Sequence, residues 1–518
     1  MTPRVRPSAL TLLLVVGTVL AVAVYAIGPY PVGVFYDDGI YLILAKALAS
    51  GEGYRYLNIP GQPAATHYPP AYPLFLALIW KLTPEFPRNV FLLKLANAAL
   101  LAAGAGAAAM FGRARLRLRL PVAAVVSVAF AVAVPVLAMS SVLFSEPLFF
   151  LLLVAALAAS ERLLDADARP TAAIGAGALC GLVALARTIG VAAVAGGVVA
   201  LLSRGRRATA GQFAAASALV LLPWQLWSAM YTSQVPGVLG TSYGSYVGAW
   251  LDAVQQTGPG FPLRVVAHNA AQIVRPLWGM FATALPWWAA ALVLAPLLGV
   301  LGLGLRRLRR VAPVTDAFLL VYVAIVLLWP VVPDRFLWGI WPLVGLVLAL
   351  GASELAAWRP TTPARRGARV ALAAPLVVAA AFYARYEVRG FAGRWWDTAQ
   401  RLAADGASPL AHWVSSRTAL TDVVATDADP LVYLYTGRPT VPAVTWRAAE
   451  YLEPQQPADM IVNTRTLLES FGVRYLLVSS SATPLGAATL QLRRSRPPEL
   501  ALVDTLPGGG AVFVRTRR

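Results

Sequence analysis

Long runs of apolar residues alternate with short polar breaks from Ser8 to Ala384. Each run holds about 20 residues, the length of a helix across the hydrocarbon core of a bilayer. The pattern predicts about eleven transmembrane helices. The breaks carry arginine clusters: Arg4 and Arg6; Arg113, Arg115, Arg117 and Arg119; Arg162 and Arg169; Arg204, Arg206 and Arg207; Arg306, Arg307, Arg309 and Arg310; and Arg359, Arg365, Arg366 and Arg369. All of them satisfy the positive-inside bias when placed in the cytoplasm. That arrangement puts the N-terminus inside. It puts residues 28–89, 140–146, 231–275, Asp334–Arg335 and everything after Ala384 outside.

Residues 171–203 need a separate reading, because they are apolar except for Arg187. One helix of that length would measure about 50 Å against a core of about 30 Å. The basic breaks at both ends require the chain to go out and return. Two halves of about 16 residues, each about 24 Å long, make a short hairpin with Arg187 at its tip.

Beyond Ala384 the apolar runs shrink to strand length, as in "DVVATD", "VRYLLVSS", "LALVDTL" and "AVFVRT". Helical patterns such as "PADMIVNTRTLLESFG" lie between them. Strands alternating with helices predict a small α/β domain. The expected organisation is a transmembrane part, residues 1–384, with a large external loop at 28–89. An external α/β domain, residues 385–518, follows it. No internal repeat is visible.

Composition agrees. The chain has 518 residues, is 58% hydrophobic and only 13% charged, which excludes an ordinary soluble globule. Its net charge of +19 comes from arginines placed between apolar runs, so it reads as topology and not as a nucleic-acid face. The single cysteine, Cys180, lies in an apolar run, which excludes a disulfide framework and thiolate zinc sites. The run from Ser8 to Ile27 is too long for a signal-peptide core and reads as a retained first helix.

Candidate chemistry gathers on the outer side. Asp37 and Asp38 open a helical pattern that ends near Ala49, where "SGEGY" breaks it. One acid suffices to cap a helix and meet its dipole; the second asks for another role. Tyr41 shares a face with Asp37. His67 and Tyr68 precede Pro69 and Pro70, which cannot continue a helix backwards, and an aromatic amphipathic helix follows. Glu146 stands before Pro147 at the outer mouth of a span. Arg187 is an intramembrane cation, which either answers Glu146 or binds an anionic headgroup. Arg335 is a second outer arginine, an interface anchor or an anion ligand. Asp37 and Asp38 together also leave open a divalent cation held through oxygen.

These motifs occur in one order: two acids in the first outer loop, "HYPPAYPLFLAL", "SEPLFFLLL", "GLVALARTIGV" and "DRFLWGIWPL". In that order the chain resembles the GT-C superfamily of integral-membrane glycosyltransferases. The most similar branch is that of dolichyl-phosphate-mannose protein mannosyltransferases and bacterial aminoarabinose transferases. The resemblance covers about Val32 to Ala352, and the tail is similar to the extracytoplasmic α/β tail of bacterial members. It implies an α-helical polytopic GT-C fold in the cell membrane. It also implies transfer of a sugar from a polyprenyl-phosphate donor to an external protein, lipid or glycan acceptor, with inversion. Under it, Asp37 and Asp38 are catalytic, and Arg187 and Arg335 take the donor phosphate. Tyr41, His67, Tyr68 and Glu146 then bind substrate. Many relatives carry Asp-Glu where this chain has Asp37-Asp38, which leaves open which acid is the base. The rival readings are a transporter and a non-catalytic envelope scaffold. Transporters place polar groups near the bilayer midplane, whereas here they cluster at one face.

The charge pattern generates a topology test. Reporter fusions after Arg310 and Arg366 are expected to read cytoplasmic, and fusions within 28–89 or after Tyr386 external. A cytoplasmic signal from the tail would remove the case for an outer site.

Overall fold

The computed structural model describes residues 7–167, 169, 171–359, 361–453, 455–494 and 499–516. Arg4 and Arg6 lie outside them. The chain is a multi-pass, mostly helical membrane protein with a small C-terminal sheet. Among the described residues five helices have the length and apolarity to cross a membrane: Ser8–Tyr25, Val90–Ala114, Arg207–Gln234, Trp287–Val311 and Arg369–Ala392. Leu120–Ala131 and Val134–Ser141 meet that test only as a pair bent by 61°, the geometry of a broken span or a re-entrant loop. The chain leaves helical geometry at Ala133 (φ −56°, ψ 138°), and Pro135, which lacks the N–H that an unbroken helix would bond to Ala131, sits in the first turn of the second helix. Further apolar helices, including Ala172–Ala186, Thr188–Ser203, Pro313–Leu328 and Trp341–Ala357, are shorter than a usual span. Length and composition therefore yield up to six spans where the apolar runs predict about eleven.

The long apolar stretch breaks at Arg187, where the length argument required a break. Arg187 is extended (φ −152°, ψ 134°) between the Ala172–Ala186 helix and the 3₁₀ turn Thr188–Gly190. Gly190 closes that turn, because a Cβ there would lie 2.4 Å from the Val183 carbonyl oxygen. The first half packs on the Arg207–Tyr231 helix and the second, Val191–Ser203, on Pro313–Leu328.

The sheet has five strands: β1 (Val424–Thr426), β2 (Thr440–Pro442), β3 (Tyr475–Val478), β4 (Leu500–Leu506) and β5 (Gly510–Arg515). Their order is β2-β1-β3-β5-β4. β1 pairs in parallel with β2 and β3, and β5 is antiparallel to β3 and β4. The sequence pattern misses β2, whose three residues end in a proline at the sheet edge. Ala384 falls inside the Pro363–Ala392 helix, and the Trp395–Arg417 helix leads from there to the sheet.

The loop that presents Asp37 is held residue by residue. Lys94, buried in the Val90–Ala114 helix, donates to the Gly28 and Tyr30 carbonyls at 3.1 Å each. Gln400 donates to the Pro31 carbonyl (3.2 Å), and the Val32 amide donates to the Tyr435 hydroxyl (3.2 Å). The tail then closes on the loop. Gly33 has φ +88°, and a Cβ there would meet the Leu431 backbone at 3.1 Å. A Cβ on Gly39 would lie 2.4 Å from the Pro430 side chain.

Gly39→Ala tests whether this joint is rigid. Overpacking of about 1–3 kcal/mol is expected, read as a lower thermal unfolding temperature. Unchanged stability would mean that the tail yields freely.

Candidate active site

Four charged side chains from four separate points of the chain meet at one place. Asp37 opens the Asp37–Ser50 helix. Glu146 opens the Glu146–Arg162 helix, with Pro147 in its first turn. Arg187 sits at the helix break, and Arg335 lies in the short Asp334–Gly339 helix between two apolar helices. Glu146 Oε1 pairs with both Arg187 Nη1 and Arg335 Nε. Arg335 Nη2 also reaches Glu146 Oε2 at 3.4 Å, and its Nη1 pairs with Asp37 Oδ2. The Arg335 guanidinium rests on the Phe144 ring, 3.7 Å from its centroid. Arg187 lies over the Phe336 ring and donates to Ser145 Oγ at 3.4 Å. Glu146 is the most enclosed of the four, at 5% side-chain exposure, while Asp37 and Arg335 keep 27% each.

The backbone at Asp37 is strained. The Asp37 amide donates to the Phe35 carbonyl at 2.8 Å across Tyr36, which has φ 66° and ψ −69°. This is the rare, left-handed form of γ-turn, and such strain persists only where the surroundings impose it. Asp38 is part of what imposes it. Its Oδ2 accepts from Gly33 N (2.6 Å) and its Oδ1 from Phe35 N (2.9 Å), fully buried. Burial pushes its carboxyl up to about 6, against the pull of those amides. Burial would raise Asp37 too, but Arg335 beside it and the Tyr68 hydroxyl, donating at 2.7 Å, hold it below the usual carboxylate range.

The charged group opens onto a cavity of about 560 Å³. Asp37, Tyr41, His67, Tyr68, Arg187 and Arg335 all line it. Glu146 and Asp38 do not. Glu146 lies behind the arginines and braces them, and Asp38 braces the loop. The sequence placed Glu146 among the substrate-binding residues and both Asp37 and Asp38 among the catalytic ones; of these three only Asp37 lines the cavity, while Glu146 and Asp38 are buried. Tyr41 lies against Ser145, with 3.2 Å between the two hydroxyls. His67 Nδ1 donates to the Gly244 carbonyl at 2.7 Å, which leaves Nε2 as the acceptor of the neutral ring. Burial pushes the His67 ring down to about 4, so it is uncharged at neutral pH.

The two acids that the sequence offered to a divalent cation both have other partners in this arrangement. The Arg335 guanidinium and the Tyr68 hydroxyl occupy Asp37, and backbone amides occupy Asp38. Among the described residues no group of three or more His, Cys, Asp or Glu comes together.

Sequence reasoning missed several lining residues: Tyr36, Tyr246, Trp250, Trp329 and, from the tail, Trp446. Only Trp329, next to Pro330 and near Arg335, carried a local signal. The tail's Asp429 was missed as well. It is buried and accepts from Tyr243 Oη (3.0 Å), beside Asn58 Nδ2 (3.5 Å), which ties the tail to the loop below the cavity.

Removal of one partner of a buried ion pair costs about 3–5 kcal/mol. Glu146→Gln is expected to lower stability by about that amount, measured by thermal unfolding in detergent. A loss below about 1 kcal/mol, the worth of an exposed pair, would deny it the bridging role.

No family model matches the chain, and no curated protein matches it either. Solved structures do. ArnT from Cupriavidus metallidurans bound to undecaprenyl phosphate aligns over 97% of this chain and 97% of its own, with 14% identity and a TM-score of 0.51. The archaeal oligosaccharyltransferase AglB from Archaeoglobus fulgidus, in complex with an inhibitory peptide and a dolichol-phosphate, aligns over 90% of this chain and 69% of its own (13% identity, TM-score 0.51). The Archaeoglobus fulgidus oligosaccharyltransferase tethered to an acceptor peptide aligns over 98% and 74% (14% identity, TM-score 0.54). The likeness runs along nearly the whole chain at TM-scores just above 0.5, and the chain therefore has the GT-C fold.

Proposed function

We propose that this chain is a glycosyltransferase that moves a sugar from a polyprenyl-phosphate donor to a hydroxyl acceptor, with inversion. The observation that carries the reading is the shared cavity. Two arginines and one accessible carboxylate face the same space, at the edge of apolar helices. A polyprenyl tail needs the bilayer, its phosphate needs cations, and a hydroxyl nucleophile needs a base. The solved neighbours bound to undecaprenyl phosphate and to a dolichol-phosphate support the donor class.

In this reading Arg187 and Arg335 hold the donor phosphate. The acceptor oxygen forms a bond to the anomeric carbon as the bond from that carbon to the phosphate oxygen breaks. The acceptor proton goes to Asp37, and the electron pair leaves with the polyprenyl phosphate. The guanidinium groups stabilise the charge that develops there. Tyr68 orients the Asp37 carboxylate, and Tyr41 and His67 contribute to the substrate wall. The cavity opens on the external face. Residues 1–384 form the transferase part, and 385–518 form an external domain that closes one side of the cavity with Trp446 and Ala448.

Asp37→Asn tests the base. Asn caps a helix as well as Asp does, so the fold is retained. Transfer by purified protein from a polyprenyl-phosphate sugar is expected to fall by about 10²–10⁴-fold. Wild-type rates in this variant would sink the assignment. If Asp38→Asn alone were dead with its stability intact, the base would move one residue along.

A further inference from the structure

The charge balance of the site sets a constraint on its first substrate. Two carboxylates already satisfy two guanidinium groups before any donor arrives. All three nitrogens of Arg335 already face carboxylates, so a phosphate that binds Arg335 competes with a carboxylate already bound to it. We propose that the donor phosphate displaces Asp37 from Nη1 of Arg335, so that donor binding itself releases the carboxylate that accepts the acceptor's proton. This rests on the reading of the site as a polyprenyl-phosphate glycosyltransferase and deepens it.

The geometry selects Asp37 over Glu146 as the carboxylate that yields. Arg335 uses its two edges differently. Nε and Nη2 point to Glu146, and Nη1 points to Asp37. Glu146 lies outside the cavity and also binds Arg187, so a phosphate cannot reach it without parting both arginines. Asp37 and Arg335 both line the cavity. The Phe144 ring under the guanidinium and the Glu146 fork keep Arg335 in place when Nη1 changes partner. Arg187 commits Nη1 to Glu146 and Ser145 and lines the same space, so one phosphate reaches both guanidinium groups.

Release changes what Asp37 can do. Paired with Arg335, the carboxylate is a poor proton acceptor, because the cation favours its charged form. Freed from that cation and set beside an anionic phosphate, it binds a proton more readily. The Tyr68 hydroxyl still holds its other oxygen, so the carboxylate turns instead of leaving the site. Until the donor binds, the base is held inactive. Donor therefore precedes acceptor, and an acceptor hydroxyl in the empty cavity meets a neutralised carboxylate.

The test is the affinity of purified protein in lipid nanodiscs for undecaprenyl phosphate, the probe of the phosphate site. In wild type Asp37 competes with the phosphate for Arg335. Asp37→Asn removes the competitor while it abolishes the base, so it should bind the lipid phosphate about fivefold tighter or more. A carboxylate that merely lay near the phosphate would repel it without involving Arg335, so the gain from Asp37→Asn is expected to disappear in an Arg335→Gln background; a gain of equal size there would overturn the exchange. Asp37→Ala, expected to shift the same way, guards against a fault particular to Asn, and thermal unfolding shows which variants are folded. Equal or weaker binding in the folded variants would overturn the exchange. Absence of wild-type binding would overturn it together with the donor assignment. Tighter binding in Asp37→Asn, with no sugar transfer by wild type from any lipid phosphate donor, would support the exchange and sink the transferase reading alone.

Discussion

The site depends on one carboxylate that does not face it. Glu146 is enclosed, stands at a helix N-terminus, and bridges Arg187 and Arg335. Two guanidinium groups side by side repel each other, and the low-dielectric surroundings strengthen that repulsion. A buried anion between them makes the pair tolerable and fixes its spacing. The helix dipole at Glu146 adds to its preference for charge. Without this bridge the arginines would have no reason to share a cavity wall.

Tight packing that leaves no room for side chains holds the other half of the site. The strained turn at Tyr36 persists because Asp38 binds the amides on its N-terminal side and the tail packs on both neighbouring glycines. Gly33 supplies a positive φ, and Gly39 supplies a face bare enough for Pro430. The tail thus reaches the cavity twice: through the backbone that aims Asp37, and through Trp446 in the wall. The joint at Asp429 is buried and polar. Burial pushes that carboxyl up to about 7, against the hydrogen bond from Tyr243.

The contrast between the two adjacent acids follows from these contacts. Asp37 and Asp38 are neighbours in sequence, yet one lines the cavity and the other is sealed beneath the loop. Successive side chains at a helix start point in different directions, so one serves the surface and the next the interior. The sequence could nominate the pair and could not divide the labour.

The apolar runs, the break at Arg187, the Asp37–Ser50 and Ala71–Leu82 helices and four of the five strands were legible in the sequence, because each follows from local periodicity, length or a breaker residue. The bend before Pro135 had a signal that the run's overall apolarity hid. The charged residues of the site were legible as residue types, since an unpaired charge among apolar residues needs a partner. Only the tertiary structure decided who pairs with whom. Arg335 meets Asp37 across 298 positions and Glu146 across 189, separations over which no sequence period carries information. It also decided that Glu146 and Asp38 stand behind the cavity and that the tail's Trp446 closes it, because those assignments depend on how separate helices and the sheet come to pack.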